Sequence, residues 1–196
     1  WPLFRKNDEN NGVVDVRTPI TAEDTVLVWA NKLGEGYSGG AVGSPIIVGG
    51  YLYTYSGTTI MKVDKETGLV LKTGTMVGGS SFAINCATYA EGMIFIGLAN
   101  GRVQAFNAET LESLWVYRDA LGGQPNCPIA YCGGYIYTGF WNSETKQANF
   151  ACLSVTDEDA TKTNEAKLPT WTYTHNGFYW AGAYVNSDFV LVTTDD

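Results

Sequence analysis

The sequence predicts an all-β fold, and three observations predict it. Hydrophobic residues make up 45% of the 196 residues, aromatics 13% and charged residues only 16%; such a chain buries a core rather than staying disordered. Glycine occurs 23 times against 6 prolines, which punctuates the chain with tight turns. Above all, the chain repeats itself. Gly49–Tyr55 reads Gly-Gly-Tyr-Leu-Tyr-Thr-Tyr, Glu91–Gly97 reads Glu-Gly-Met-Ile-Phe-Ile-Gly, and Gly133–Gly139 reads Gly-Gly-Tyr-Ile-Tyr-Thr-Gly. A weaker copy, Ser-Asp-Phe-Val-Leu-Val-Thr, lies at Ser187–Thr193. The leading residues Tyr51, Met93, Tyr135 and Phe189 stand 42, 42 and 54 apart.

The rest of each unit follows in order. Before the turn, Ser44–Val48 aligns with Cys86–Ala90 and Cys127–Tyr131, and Asn85-Cys86 pairs with Asn126-Cys127 at a spacing of 41. After it, Val63–Gly68 aligns with Phe106–Leu111. Lys72 and Trp115 are 43 apart, Trp29 lies 43 before Lys72, and Trp171 lies 56 after Trp115. The last interval is long because Trp141–Asn149 and Thr156–Pro169 carry extra polar residues. In the second unit, Val, Ile, Tyr and Phe-rich runs bounded by Gly and Asn predict strands at 84–90, 93–98, 102–107 and 113–118. No unit holds an i, i+3, i+4, i+7 apolar stripe, so a helical repeat is excluded. Four strands in 40–45 residues is the period of a β-propeller blade. Strands such as Met93–Gly97 are apolar on both faces, as blades stacked face to face require. The expectation is one propeller segment over 1–196, an incomplete ring of about three and a half antiparallel blades. A lead-in strand falls at 25–32, full blades at roughly 42–73, 84–118 and 126–175, and a partial blade at 179–196. Such an arc exposes sheet faces and edges. A missing C-terminal half or a second copy is expected to complete it.

At this point the residues resemble a known family. Ser44-Pro45-Ile46-Ile47-Val48-Gly49-Gly50-Tyr51-Leu52-Tyr53, followed by Val63-Asp64-x-x-Thr67-Gly68, resembles the repeat of PQQ-type (quinoprotein dehydrogenase-like) β-propellers. Ala105–Trp115 is similar to that family's tryptophan-docking motif, Ala-x-Asp-x-x-x-Gly-x-x-x-Trp, with Asn107 for Asp and Leu111 for Gly. The first copy keeps Asp64 and Gly68 but has Lys72 in the Trp position. Trp1–Asn7 through Asn11-Gly12 resembles the family's N-terminal lead-in. The resemblance implies structural docking roles for Trp29, Trp115 and Trp171, and one weaker inter-blade joint at Lys72. It also points to a non-enzymatic branch whose members include the propeller lipoprotein that assists outer-membrane protein assembly.

Several chemistries are argued against by the residues themselves. Lys+Arg is 12 against Asp+Glu 20, a net charge of −8, which opposes nucleic-acid binding. No apolar run approaches the ~18 residues of a membrane span. Cys86, Cys127, Cys132 and Cys152 form no CxxC pair and His175 is the single histidine, so ordinary zinc spacing is lacking and no metal is expected. Four cysteines allow three disulfide connectivities, while buried free thiols are the simpler expectation. Gly34–Gly39 satisfies GxGxxG, but a strand follows where a dinucleotide site needs a helix; it reads as an inter-blade loop. His175 lacks a sequence-evident nucleophile partner, and Asp157–Asp159 and Asp195-Asp196 lack the glycine turn of an EF-hand. The family resemblance raises an alternative, a PQQ- and calcium-dependent quinoprotein dehydrogenase. Many such enzymes carry a disulfide between adjacent cysteines, which this chain lacks. PQQ's three carboxylates need cationic partners, and Lys62, Lys72, Arg102 and Arg118 are scattered over the repeats. No cofactor is therefore expected.

The predicted meander puts the tight turns on one side and the longer, aromatic and amide-rich connections on the other. Function sits preferentially in such loops over a rigid scaffold. Tyr37, Phe82, Asn85, Asn126, Trp141, Tyr179 and Trp180 are the candidate binding residues, suited to a protein, peptide or glycan. The resemblance implies an extracytoplasmic bacterial setting: cell surface, secreted or periplasmic. The absence of an initiating Met and of any Asn-x-Ser/Thr sequon is consistent with it.

Overall fold

A computed structural model describes residues 6, 15, 18–34, 43–80, 85–178 and 180–195. Three antiparallel sheets succeed one another along the chain. The first blade comprises β1 (Ile46–Val48), β2 (Tyr51–Ser56), β3 (Thr59–Asp64) and β4 (Val70–Thr75) in sequential order. The second comprises β5 (Thr88–Ala90), β6 (Met93–Leu98), β7 (Arg102–Asn107) and β8 (Ser113–Arg118). The third contains β9 (Ala130–Cys132), β10 (Tyr135–Gly139), β11 (Gln147–Ser154) and, after a short strand β12 (Glu165–Lys167), β13 (Trp171–Asn176). A two-stranded sheet of β14 (Tyr184–Val185) and β15 (Val190–Leu191) begins a fourth. Among the described residues there is no α-helix, only a 3-10 turn at Ala22–Asp24. The innermost strands β1, β5, β9 and β14 adjoin one another in that order. Among the described residues the fold is the expected all-β arc of propeller blades.

Two kinds of turn set the register. Glu91-Gly92 and Gly133-Gly134 both hold positive φ at two successive residues, the two-residue hairpin geometry that matches strand twist. The turn after the third strand is closed by a side chain. Asp64 Oδ1 accepts from the Glu66 and Thr67 amides, and Asn107 Oδ1 from those of Glu109 and Thr110. Either residue closes this turn, so the Asn107 departure costs the blade nothing visible. In consequence Tyr51↔Asp64, Met93↔Asn107 and Tyr135↔Ser154 are equivalent pairs.

Stacking buries two cores. Ile46, Tyr53, Ile60, Ile94, Ile96 and Phe106 fill the space between blades 1 and 2. Phe95, Trp115, Ile136, Phe140, Phe150 and Phe178 fill the space from blade 2 to the partial blade. At three successive joints a side chain donates to the backbone carbonyl just after the third strand of the blade that follows. The Trp29 indole N–H donates to Lys65 O at 2.9 Å, and the Trp115 indole N–H to Val155 O at 3.3 Å. At the middle joint Lys72 is exposed, and the Tyr53 hydroxyl donates to the equivalent carbonyl, Ala108 O, at 2.9 Å.

The expected weak joint is therefore rebuilt. At the first joint a Cβ on Gly68 would lie 2.5 Å from the Trp29 ring; at the second, Leu111 replaces that glycine and is 2% exposed. Gly74, with no side chain of its own, makes room for Leu111. Lys62, 4% exposed, pairs with Glu109 Oε2 at 2.8 Å and lies 4.1 Å over the Tyr51 ring.

Three expectations are corrected. Residues 25–32 form no strand, because no described strand lies beside them to complete a ladder; Trp29 holds the segment through its side chain. The spacing of 41 that aligned Asn85 with Asn126 is not the structural period. Thr54 Oγ1 donates to Gly43 O and Thr138 Oγ1 to Cys127 O, and β5 to β9 is a shift of 42. Asn85 thus corresponds to Cys127 rather than to Asn126, each standing three residues before its inner strand. Finally, the polar insertion after β11 is not a plain loop. Its β12 pairs in parallel with β8 as a fifth strand of blade 2, covering an otherwise free edge. All four cysteines are free; Cys127 and Cys152 are buried and Cys86 and Cys132 partly so.

Candidate binding face

Backbone bonds show that the connections segregate to two faces. On the tight-turn face Lys65 N donates to Gly50 O, Ala108 N to Gly92 O and Val155 N to Gly134 O. On the other face the long connections bond one another: Ala99 N to Gly79 O, Gly101 N to Gly123 O, Phe178 N to Phe140 O and Asp195 N to Gly177 O. This second face carries the candidate residues.

Most of those that are described are engaged in holding the loops. Asn85 Nδ2 donates to Pro125 O at 2.6 Å and its own carbonyl accepts from the Tyr55 hydroxyl, tying two connections to strand β2. Asn126 is 1% exposed, with Nδ2 donating to Gln124 Oε1 at 3.2 Å and Oδ1 buried without a partner. It lies too deep to meet an external partner directly. Trp141 is half-buried, and its indole N–H donates to Asp195 Oδ2 at 2.7 Å. Its ring covers Gly177, where any side chain would collide with it. Trp180 is 48% exposed, on the connection into the fourth sheet, with φ +56°. A bulky residue rarely adopts that left-handed backbone. Tyr37, Phe82 and Tyr179 lie outside the described residues.

Beneath the loops is a buried polar network that the sequence reading missed. The Tyr117 hydroxyl donates to Asp119 Oδ2 at 2.6 Å, and Asn149 Nδ2 donates to both Asp119 carboxylate oxygens at 3.1 Å. Thr174 Oγ1 donates to Asn149 Oδ1 at 2.6 Å, and Asp119 Oδ1 accepts the Leu121 amide. Burial, then the Asp119 carboxylate, pushes the Tyr117 phenol far above its usual range. Burial likewise pushes the Cys127 thiol up to about 11, so it is no thiolate nucleophile at neutral pH. The network fixes the floor of the face; polar residues on three separate strands gave no contiguous signal.

The three tryptophans of the resemblance sit in different surroundings. Trp115 is fully buried, its ring 5.7 Å from Phe95. Trp29 is half-buried against Gly68. Trp171 is 41% exposed, beside Tyr137 and Phe150 at 6.1 and 6.2 Å. Among the described residues no three His, Cys, Asp or Glu side chains come together as metal ligands. Lys62 is committed to Glu109, while Lys72 and Arg118 lie exposed on outer strands of different blades.

A family model described as outer membrane protein assembly factor BamB matches residues 15–144. The chain belongs to this PQQ-type β-propeller family. Among solved structures, BamB from Moraxella catarrhalis is 18% identical with a TM-score of 0.56, covering 78% of this chain and 40% of that one. A europium-containing methanol dehydrogenase is 17% identical, with a TM-score of 0.64 and coverages of 90% and 32%. Quinohemoprotein alcohol dehydrogenase from Comamonas testosteroni is 16% identical, with a TM-score of 0.67 and coverages of 89% and 27%. These likenesses concern the fold. The chain spans less than half the length of each. No curated protein matches it in sequence. Among the described residues no helix is long and apolar enough to cross a membrane.

Proposed function

We propose that this chain is a non-catalytic binding scaffold of an extracytoplasmic bacterial protein, associated with the outer membrane, and that its loop face recognises a protein partner. The observation that carries the reading is Trp180, a large ring half in solvent on the loop face. Exposed tryptophan on a rigid support is the usual composition of a binding anchor. The family match supports a scaffold role, since its description is an assembly factor rather than an enzyme.

The test is a pair of variants assayed for partner capture and for stability. Trp180→Ala is expected to cost at least about 2 kcal/mol of binding with folding intact. Trp115→Ala is expected to cost about 3–5 kcal/mol of stability, because it empties a fully buried site. If Trp180→Ala unfolds the protein as badly as Trp115→Ala, Trp180 belongs to the core and the loop-face reading fails. Retention of a quinone chromophore, or PQQ- and calcium-dependent alcohol oxidation, would replace the reading with the dehydrogenase one.

A further inference from the structure

At the loop-face end of blade 2 two arginines stand opposite each other. Arg102 opens β7 directly after the turn at Asn100-Gly101, and Arg118 closes β8 directly before the connection to blade 3. The ladder pairs them. Directly opposed residues share one sheet face, and like charges there repel. Along that face Gln104 accepts the Val77 amide and Phe106 lies in the core shared with blade 1, so both arginines rise on the side of blade 1. Arg102 Nη1 rests against the connection between the two blades: a Cβ on Gly78 would lie 2.9 Å from it. Arg102 is half-buried and Arg118 exposed.

No carboxylate answers this pair among the described residues. The chain has 20 acidic residues, yet the segments around the pair, 76–80, 97–101 and 119–129, contain a single one, Asp119. Its carboxylate is turned the other way, towards Asn149 of blade 3, and its remaining donors are the Tyr117 hydroxyl and the Leu121 amide. The acids of the insertion beside β8 are also committed, Glu158 to Lys167 and Asp159 and Glu165 to Lys162. A repelling pair of cations kept clear of acids in an acidic protein is a site prepared for an anion.

We propose that Arg102 and Arg118 together receive the carboxylates of an acidic segment of the protein partner. The proposal deepens the loop-face reading and rests on it. Guanidinium forks offer parallel N–H donors that match carboxylate oxygens. The place argues for a macromolecule. β8 is an outer strand and Arg118 is exposed, so a small anion would stay largely hydrated, whereas a protein brings its own cover. Net charge argues against extended polyanions. At −8 the molecule as a whole is repelled by a nucleic acid or an anionic lipid surface. A short acidic segment meets only the local pair, since other charges are screened beyond about 8–10 Å.

The probe is an unlabelled peptide of three aspartates flanked by glycine and serine, titrated into the 196-residue protein at low salt. The chain has four arginines, so the guanidinium Nε–H resonances of Arg102 and Arg118 can be followed individually by NMR. Both should shift together and saturate, with affinity falling as salt is added. Arg102→Gln and Arg118→Gln should each weaken the peptide about tenfold or more. Lys65→Gln, on the tight-turn face, should leave it unchanged. Each arginine variant should also melt at the parent temperature or above it, because it removes a repulsion. A structural arginine would do the reverse, so a lowered melting temperature in both variants overturns the proposal. So does a lack of saturation up to about 1 mM peptide. Inorganic phosphate or phosphatidylglycerol vesicles that shift the same resonances at lower concentration than the peptide overturn it too, assigning the pair to a phosphoryl group. The peptide carries no apolar anchor, so its failure removes this proposal alone and leaves the Trp180 variants to decide the loop-face reading.

Discussion

At the residue scale the middle joint shows how a repeat absorbs a lost anchor. Position 72 carries Lys where the resembling motif has Trp, position 111 carries Leu where it has Gly, and the Ala108 carbonyl accepts from the Tyr53 hydroxyl where the equivalent carbonyls of Lys65 and Val155 accept from an indole. The bulk has moved from the outer strand of one blade to the turn of the next, so the two exchanges compensate. Lys72→Trp alone should therefore destabilise by overpacking against Leu111, and Leu111→Gly alone by leaving a cavity. Together they should recover stability, with a coupling of about 0.5–3 kcal/mol measured by denaturant titration of the cycle. Simple additivity would show that the two positions do not share one space. Tyr53→Phe should cost about 1–3 kcal/mol in the same titration, because it leaves the Ala108 carbonyl without its cross-blade donor. The sequence displayed both exchanges as departures from a motif. It did not display that they compensate, since that depends on Leu111 and Gly74 meeting across two sheets.

At the element scale the turns were legible and the insertion was not. Gly-Gly, Glu-Gly and Asp/Asn-x-x-Thr are local chemistry, and strands 93–98, 102–107 and 113–118 stand where those signals bounded them. Residues 156–169 read as surplus polar loop because pairing with β8 is a contact from another blade. That excursion is pinned at both ends. Lys167, 6% exposed, donates to Thr156 O and Glu158 Oε1 at 2.5 Å and lies 5.3 Å over the Trp115 ring. Asp159 accepts from Lys162 at 2.7 Å and from the Thr161 amide and hydroxyl. Lys162 first, then Thr161, holds the Asp159 carboxyl at about 2, below its ordinary 3.8. A depressed carboxyl contributes order that is present above the ordinary value and lost as pH falls through the folded one. The Thr161 amide resonance should accordingly titrate with a midpoint near 2. A midpoint at the ordinary carboxylate value would mean that the turn is not formed in solution.

At the scale of the whole molecule, the succession of blades and the two faces followed from a period, while which loop residues lie buried did not follow from loop composition. Asn85 and Trp141 are loop residues spent on tying separate parts of the chain together, and Asn126 bonds Gln124 within its own connection; composition cannot separate a residue that faces out from one that bonds its neighbour. The alternation Trp171-Thr-Tyr-Thr-His in β13 was the available sign of an uncovered outer strand. An arc of repeats also has a stability profile, because each blade contributes its own term and one for each neighbour. Blade 2 has neighbours on both sides and a fifth strand, and Ile94, Phe95, Ile96, Val103, Ala105, Phe106, Trp115 and Val116 are all at most 1% exposed. Blade 1 has its outer strand β4 exposed along nearly its whole length, and β14–β15 is a two-stranded remnant. Native-state hydrogen exchange should therefore be slowest in β6 and β7, faster in β4, and fastest in β14 and β15, in separable steps rather than one. Uniform protection across the three blades would show instead that the arc opens only as a unit, with the joints stronger than the blades they connect.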